Sequence, residues 1–130
     1  MGLKEGRIRD YYVVDATDAA AGNLKWDSTT VMTWTVPDNF RWYFIGGTVL
    51  NSVDATVTVD MYDASDKVIY GLASIAAPGA ATRVQFPDSD IGYVHRPIPM
   101  GPGMYVKMTM GAAQGAAAEA NILVIEIREY

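Results

Sequence analysis

Asp60, Asp63 and Asp66 stand three residues apart, a grouping of carboxylates that could hold a cation. Calcium takes about six to eight oxygens from a flexible loop, and three carboxylates around one turn could supply part of that shell. The spacing departs from the alternating Asp-x-Asp-x-Asp-Gly pattern, and no glycine supplies the sharp turn. The plainer expectation is that Asp63 and Asp66 accept turn hydrogen bonds while Asp60 is a solvated strand residue. Asp88-Ser89-Asp90, directly after Pro87, has the same two readings, and the turn is again preferred. His95, the single histidine, lies between Val94 and Arg96. A general base needs a positioned partner, and no spacing places one here, so His95 reads as a surface or interface residue. A glycosidase needs two carboxylates across one cleft; with 15 acidic residues some pair always fits, so the number is uninformative. The chain has no cysteine, which excludes disulfides, thiolate metal sites and thiol nucleophiles. The sequence assigns no catalytic residue, no metal site and no cofactor.

The aromatic residues are more informative. Trp34 and Trp42 fall in strongly patterned strands, where packing in the core is expected. Trp26 sits in Asn23-Leu24-Lys25-Trp26-Asp27-Ser28, a polar stretch without periodicity. Its indole either caps one end of the fold or contacts a partner. Eight tyrosines and three tryptophans could also build a sugar-stacking platform.

The elements that must position these residues are strands. In Thr30–Val36, Met32, Trp34 and Val36 share one face and Val31, Thr33 and Thr35 the other, the two-residue period of a half-buried strand. Pro37-Asp38-Asn39 turns the chain. Phe40–Leu50 is apolar on both faces, and Gly46-Gly47 within it predicts a bulge or a close backbone approach. Further strands are expected over residues 55–62, 67–75, 82–86, 91–94, 104–110 and 121–128. Asp63–Asp66 is a hairpin connection, 76–81 a small-residue loop, 97–103 a rigid proline-rich crossing and 111–119 a glycine/alanine loop. Residues 15–28 read as a loop or a single helical turn. The total is about eight strands at roughly ten-residue spacing. The expected fold is all-β: a two-sheet antiparallel sandwich, with jelly-roll topology favoured because 76–81 and 97–102 look like connections passing between sheets.

Length and charge narrow the function. A chain of 130 residues is one domain's worth, here 11–130 preceded by an N-terminal arm over 1–10. Lys4, Arg7 and Arg9 stand against Glu5 and Asp10 in that arm, which either frays or orders on a neighbouring subunit. Fifteen acidic against ten basic residues give a net charge of −5, which disfavours a general grip on nucleic-acid phosphates. The first seven residues are polar and charged, with no apolar stretch of signal-peptide type behind them. The longest apolar runs are about eight residues, far from the roughly 20 of a membrane helix. Neither nucleic acid nor membrane is therefore expected as a partner.

The segment Val36-Pro37-Asp38-Asn39-Phe40-Arg41-Trp42-Tyr43-Phe44-Ile45 resembles a pattern in small virion proteins of tailed bacteriophages: a strand ending in Val-Pro, a tight turn, a basic residue, then Trp and an apolar run. Val57–Ala64, closing on an Asp-Ala turn, and Pro102-Gly103-Met104-Tyr105-Val106, opening the penultimate strand, are similar to its later parts. The resemblance is one of layout over residues 30–130. It implies a jelly-roll cement or decoration protein on the outside of a capsid, made in the host cytoplasm, with the major capsid protein and further copies of itself, as homodimer or homotrimer, for partners. The residues expected at such interfaces are Arg7, Arg9, Tyr11 and Tyr12 near the N-terminus, and Trp26, Tyr43, Tyr70 and Met100 further on. The other readings are a tail-fibre or carbohydrate-binding β-sandwich, which needs exposed aromatics along a groove, and a small β-sandwich enzyme, which the absent nucleophile and single histidine make the weakest.

Overall fold

A computed structural model describes residues 6–17, 24–87 and 97–129. They form ten strands: β1 (Arg7–Val14), β2 (Leu24–Ser28), β3 (Val31–Thr35), β4 (Phe40–Leu50), β5 (Val57–Tyr62), β6 (Val68–Ile75), β7 (Arg83–Phe86), β8 (Ile98–Met100), β9 (Tyr105–Met110) and β10 (Glu119–Arg128). One five-stranded sheet runs β1-β10-β4-β7, with β8 also paired to β4; the other runs β2-β3-β9-β5-β6. We call them sheet A and sheet B. Every pairing is antiparallel. The chain is therefore an all-β, two-sheet antiparallel sandwich, as its period-2 patterns predict. With β2 and β8 set aside as additions, the remaining eight strands stand in the order 1-8-3-6 and 2-7-4-5, which is compatible with a jelly roll.

Alternation builds the core. Met32 and Trp34 of β3, Val57, Val59 and Met61 of β5, and Val106, Met108 and Met110 of β9 point inward and are buried. Sheet A answers with Trp42, Phe44, Val49, Ala120, Ile122 and Val124. Phe86 of β7 ties the layers together, its ring 6.3 Å from both Phe44 in its own sheet and Trp34 in the other. Sulfur is prominent in this core: Met32, Met61, Met100 and Met108 have no exposed surface, and Met32 pairs directly with Met108. At one end two buried amides fasten the loops. Asn51 donates to Val53 O and Gly79 O, while Gln114 Oε1 accepts from the backbone N–H of Ser52 and of Val53.

Three segments depart from expectation. Arg7–Asp10 is not a detached arm: it forms the first half of β1, with Arg7 opposite Glu126 and Arg9 opposite Val124. Leu24–Ser28 is a strand on β3 rather than a loop or helical turn, and Trp26 lies opposite Met32 with 4% of its surface exposed. Ile98–Met100, inside the expected proline-rich loop, pairs with β4, and Met100 is buried opposite Trp42. Among the described residues β8 pairs along one side only, with β4, and a strand so placed tolerates Pro99 because a missing N–H can face outward. The expected strand at 91–94, His95 and Asp88-Ser89-Asp90 lie outside the described residues.

Candidate functional site: the outer faces and the β6 edge

Each sheet has an outer face, and the registers fix its composition. On sheet A, Ile8, Ile125, Tyr43 and Pro99 stand in one row across β1, β10, β4 and β8. The next row is Asp10, Leu123 and Gly46. Ile8 is 73% exposed, the highest value among the large apolar residues described. Beyond lies a polar row, Tyr12, Asn121, Thr48 and Gln85. Asn121 accepts from both Thr48 groups, N–H at 3.1 Å and hydroxyl at 2.5 Å, and donates to Asp10 at 2.9 Å. Arg83 bridges Thr48 and Glu119, and Arg41 meets Glu129 at 2.8 Å. Tyr12 donates to Glu119 as well, which raises the phenol's pKa above its ordinary value.

Within this face β4 carries the bulge that its glycines predict. Leu123 pairs with Gly46 and Val124 with Phe44, so Ile45 is the extra residue. A side chain on Gly47 would lie 2.2 Å from the Asn121 carbonyl and 2.6 Å from the Phe86 ring, so only glycine lets β10 and Phe86 approach. Gly46, bare on the outside, leaves an open groove of about 200 Å³ lined by Ile45, Leu123, Phe86 and Pro87, and by Asn121, Thr48 and Gln85 of the polar row.

Sheet B differs. Its outer face carries Thr33 and Thr35 of β3, Tyr105, Lys107 and Thr109 of β9, and Thr58, Asp60 and Tyr62 of β5. Tyr62 and Tyr105 are cross-strand partners whose rings stack at 4.8 Å and 6°. Tyr105 donates to Asp66 at 2.9 Å; burial, and then this acceptor, push its phenol pKa up to about 12. Burial also raises the carboxyl of Asp60, against the pull of Lys107. Asp63 accepts from the N–H of Ser65 and of Lys67, both at 2.9 Å. Asp63 thus does the turn work expected of it, Asp66 binds a tyrosine, and Asp60 is a half-buried strand residue rather than a solvated one. Among the described residues no three acids or histidines gather at distances suited to a metal ion.

The edge of sheet B is β6, which has β5 on one side and no further strand among the described residues. Val68, Ile69 and Tyr70 are 49%, 39% and 39% exposed. Ile69 and Leu72 are both extra residues in the β5–β6 register, so this edge is bulged twice. Bulges twist an edge away from regular pairing with another strand. The apolar side chains of β6 are therefore presented without a straight backbone ladder.

The eight residues expected at interfaces scatter. Ile8 lies between Arg7 and Arg9 but on the opposite face; both arginines are exposed, with Arg9 above the Tyr11 ring at 5.5 Å. Tyr11 stacks on Trp42 at 5.0 Å and donates to Glu126, which also accepts from the Trp42 indole at 2.8 Å. Burial and that carboxylate raise the Tyr11 pKa. Tyr11 thus belongs largely to an internal cluster. Tyr12 and Tyr70 are exposed, and Tyr43 is half-buried within the sheet A row. Trp26 and Met100 are corrected: both are core residues, unavailable to a partner. Sequence reasoning missed Ile8, hidden between two arginines, and missed the Gly46 groove, although the paired glycines were its signal.

Comparison with known proteins finds no family model that matches the chain and no curated protein that matches it.

Proposed function

We propose that this protein is a structural component of a tailed-phage particle, seated on the outer capsid as a small homo-oligomer that decorates or cements the shell. The observation that carries this reading is the apolar run Val68-Ile69-Tyr70 exposed along a bulged sheet edge. Soluble monomers rarely leave such patches uncovered, and a patch of this kind on an edge marks an interaction surface. The bulges disfavour strand addition, so contact runs through side chains, which suits a repeated, modest contact on a lattice. Many weak copies then act together, because each neighbour raises the effective concentration of the next. The layout resemblance to small virion proteins supplies the identity of the lattice.

The test is co-sedimentation with empty capsid shells of the phage whose genome encodes the chain. Deleting residues 1–10 would remove half of β1, so point changes on β6 are the cleaner probe. The wild type is expected to pellet with shells, and Val68→Asp/Ile69→Asp to stay in the supernatant with an unchanged circular dichroism spectrum. A wild type that ignores shells overturns the proposal. The carbohydrate-binding reading has one observation in its favour, the Tyr62–Tyr105 pair beside Asp60 and Lys107. Each ring already covers one face of the other, which leaves less surface for a sugar. A sugar-array hit abolished by Tyr105→Ala would install that reading instead.

A further inference from the structure

The apolar outer face of sheet A has no role in the contact assigned to β6. We propose that it is the surface by which one copy of this chain binds a second, with the Ile8 ridge of each copy seated in the Gly46 groove of the other. This deepens the self-association just proposed and rests on that part of it, but it needs no capsid.

Three observations point to a second copy. Ridge and groove lie on the same face, in adjacent rows. A surface that carries both a protrusion and a matching recess is self-complementary, as a two-fold interface requires: if Ile8 meets the partner's groove, the partner's Ile8 meets this one. The recess has Ile45, Leu123, Phe86 and Pro87 among its lining residues and is about 200 Å³ in volume. Apolar cavities of that order accept a group the size of benzene, so an isoleucine side chain fits. The third observation is charge. The chain carries −5 overall, so two copies repel unless they meet where the charge is locally cancelled. Around this face Glu119 is matched by Arg83 and Glu129 by Arg41, each at 2.8 Å, which leaves Asp10, held by the neutral Asn121 amide, as a single carboxylate. Such a face has little net charge with which to recruit a strongly charged partner, and it repels its own copy less than a face of clustered acids does. On the outer side of sheet B, by contrast, Asp60, Asp63 and Asp66 cluster near one turn with Lys107 and Lys67, and a copy placed there would bring carboxylates together.

The first experiment is sedimentation velocity on the isolated protein over a concentration series. The wild type is expected to dimerise. Ile8→Asp, a change at an exposed position, is expected to raise the dissociation constant by at least about tenfold with its circular dichroism spectrum unchanged, as loss of a central apolar anchor does. Val68→Asp/Ile69→Asp is expected to remain dimeric. The second experiment uses the absence of native cysteine. Ile8→Cys/Gln85→Cys places thiols on β1 and β7, three strand spacings or about 14 Å apart within one chain, beyond the reach of about 7 Å for a disulfide. Under mild oxidation a covalent dimer is expected from the double variant and from neither single one. A wild type that is monomeric at millimolar concentration overturns the proposal. So does a dimer split by the β6 changes and indifferent to Ile8→Asp, or a cross-link formed by Ile8→Cys alone or by no variant. Because shell sedimentation is read separately, a dimer that ignores shells would sink the capsid reading and leave this one standing.

Discussion

The two sheets share one interior and present opposite exteriors. Sheet A turns aliphatic residues outward in the row Ile8–Ile125–Tyr43–Pro99; sheet B turns out threonines, a tyrosine pair, Lys107 and Asp60. The inner faces are alike because both are set by the same demand, exclusion of water from a layer about 10 Å thick. The outer faces are released from that demand, so their difference reports what each meets. Hydroxyls, amine and carboxylate are content in water. An aliphatic row is not, and Glu119 and Glu129 near it are already paired with arginines within the chain. The contrast teaches that folding alone accounts for the outer face of sheet B, whose unused apolar surface lies on the β6 edge, whereas sheet A carries such surface on the face itself.

The common interior gives the largest expected effect. Trp34, with no exposed surface, contacts the Phe86 ring and donates to Tyr11 O at 3.2 Å. Trp34→Ala should cost about 3–5 kcal/mol in chemical denaturation, and an unchanged midpoint would mean the two sheets do not share this core. Next is Gly47→Ala, which forces a methyl group against the Asn121 carbonyl and the Phe86 ring. A loss of about 1–3 kcal/mol is expected from such overpacking; tolerance of alanine would show that β10 and Phe86 do not need the close approach to β4 on which the sheet A side of the contrast is built. On the other exterior, Tyr62→Ala removes a stacked pair worth about 0.5–1.5 kcal/mol beyond its area, and it should leave the oligomeric state untouched. Tyr105 offers a pH signature of the same face. Its phenol pKa rises from 10.0 to about 12 on folding, so the folded state holds the proton more tightly. That contribution is complete below pH 10 and is lost as pH climbs to about 12. Tyr105→Phe should therefore show a shallower loss of stability across that window, and equal slopes would refute the hydrogen bond to Asp66. The smallest effect belongs to Asp60, whose carboxyl is raised from 3.8 chiefly by burial. Its stabilising, protonated form exists at low pH and is lost as pH rises, so Asp60→Asn should stabilise the protein slightly at neutral pH. The gain should vanish below pH 3.8; a loss at neutral pH would show that Lys107 outweighs the burial.

What the sequence reveals about this fold follows from where water stops. β3, β5 and β9 were legible because one face of each is buried and the other wet, which writes an alternation into Met32/Trp34, Val57/Val59/Met61 and Val106/Met108/Met110. β1 was not. Its inward positions at one end of the sandwich are Arg7 and Arg9, where the layers part and charge reaches solvent, so the pattern runs backwards. In the sequence β2 hides Trp26 between Lys25 and Asp27, and β8 hides between prolines, whose meaning changes in a strand that pairs, among the described residues, with β4 alone. The surfaces were half legible. Apolar residues on both faces of 40–50, 67–75 and 121–125 correctly signalled excess apolar surface. Which of it stays outside depends on the β4–β7 and β4–β10 pairings between segments far apart in the chain, and no local pattern encodes those. For the same reason Trp26, expected to cap one end of the fold or contact a partner, and Met100, expected at an interface, are both interior residues.

The sulfur-rich interior has a consequence for the protein's chemical history. Peroxide turns a thioether into a sulfoxide only where the two can meet. Met32, Met61, Met100 and Met108 are sealed, while Met104 is only half-buried. In an aged preparation, sulfoxide at Met104 should accumulate with exposure time, while sulfoxide at the four sealed positions should accumulate with the number of times the sandwich has opened. Their ratio, read by peptide mass spectrometry, would act as a clock that counts openings rather than hours, and it should run slower in any assembly that holds the two sheets shut.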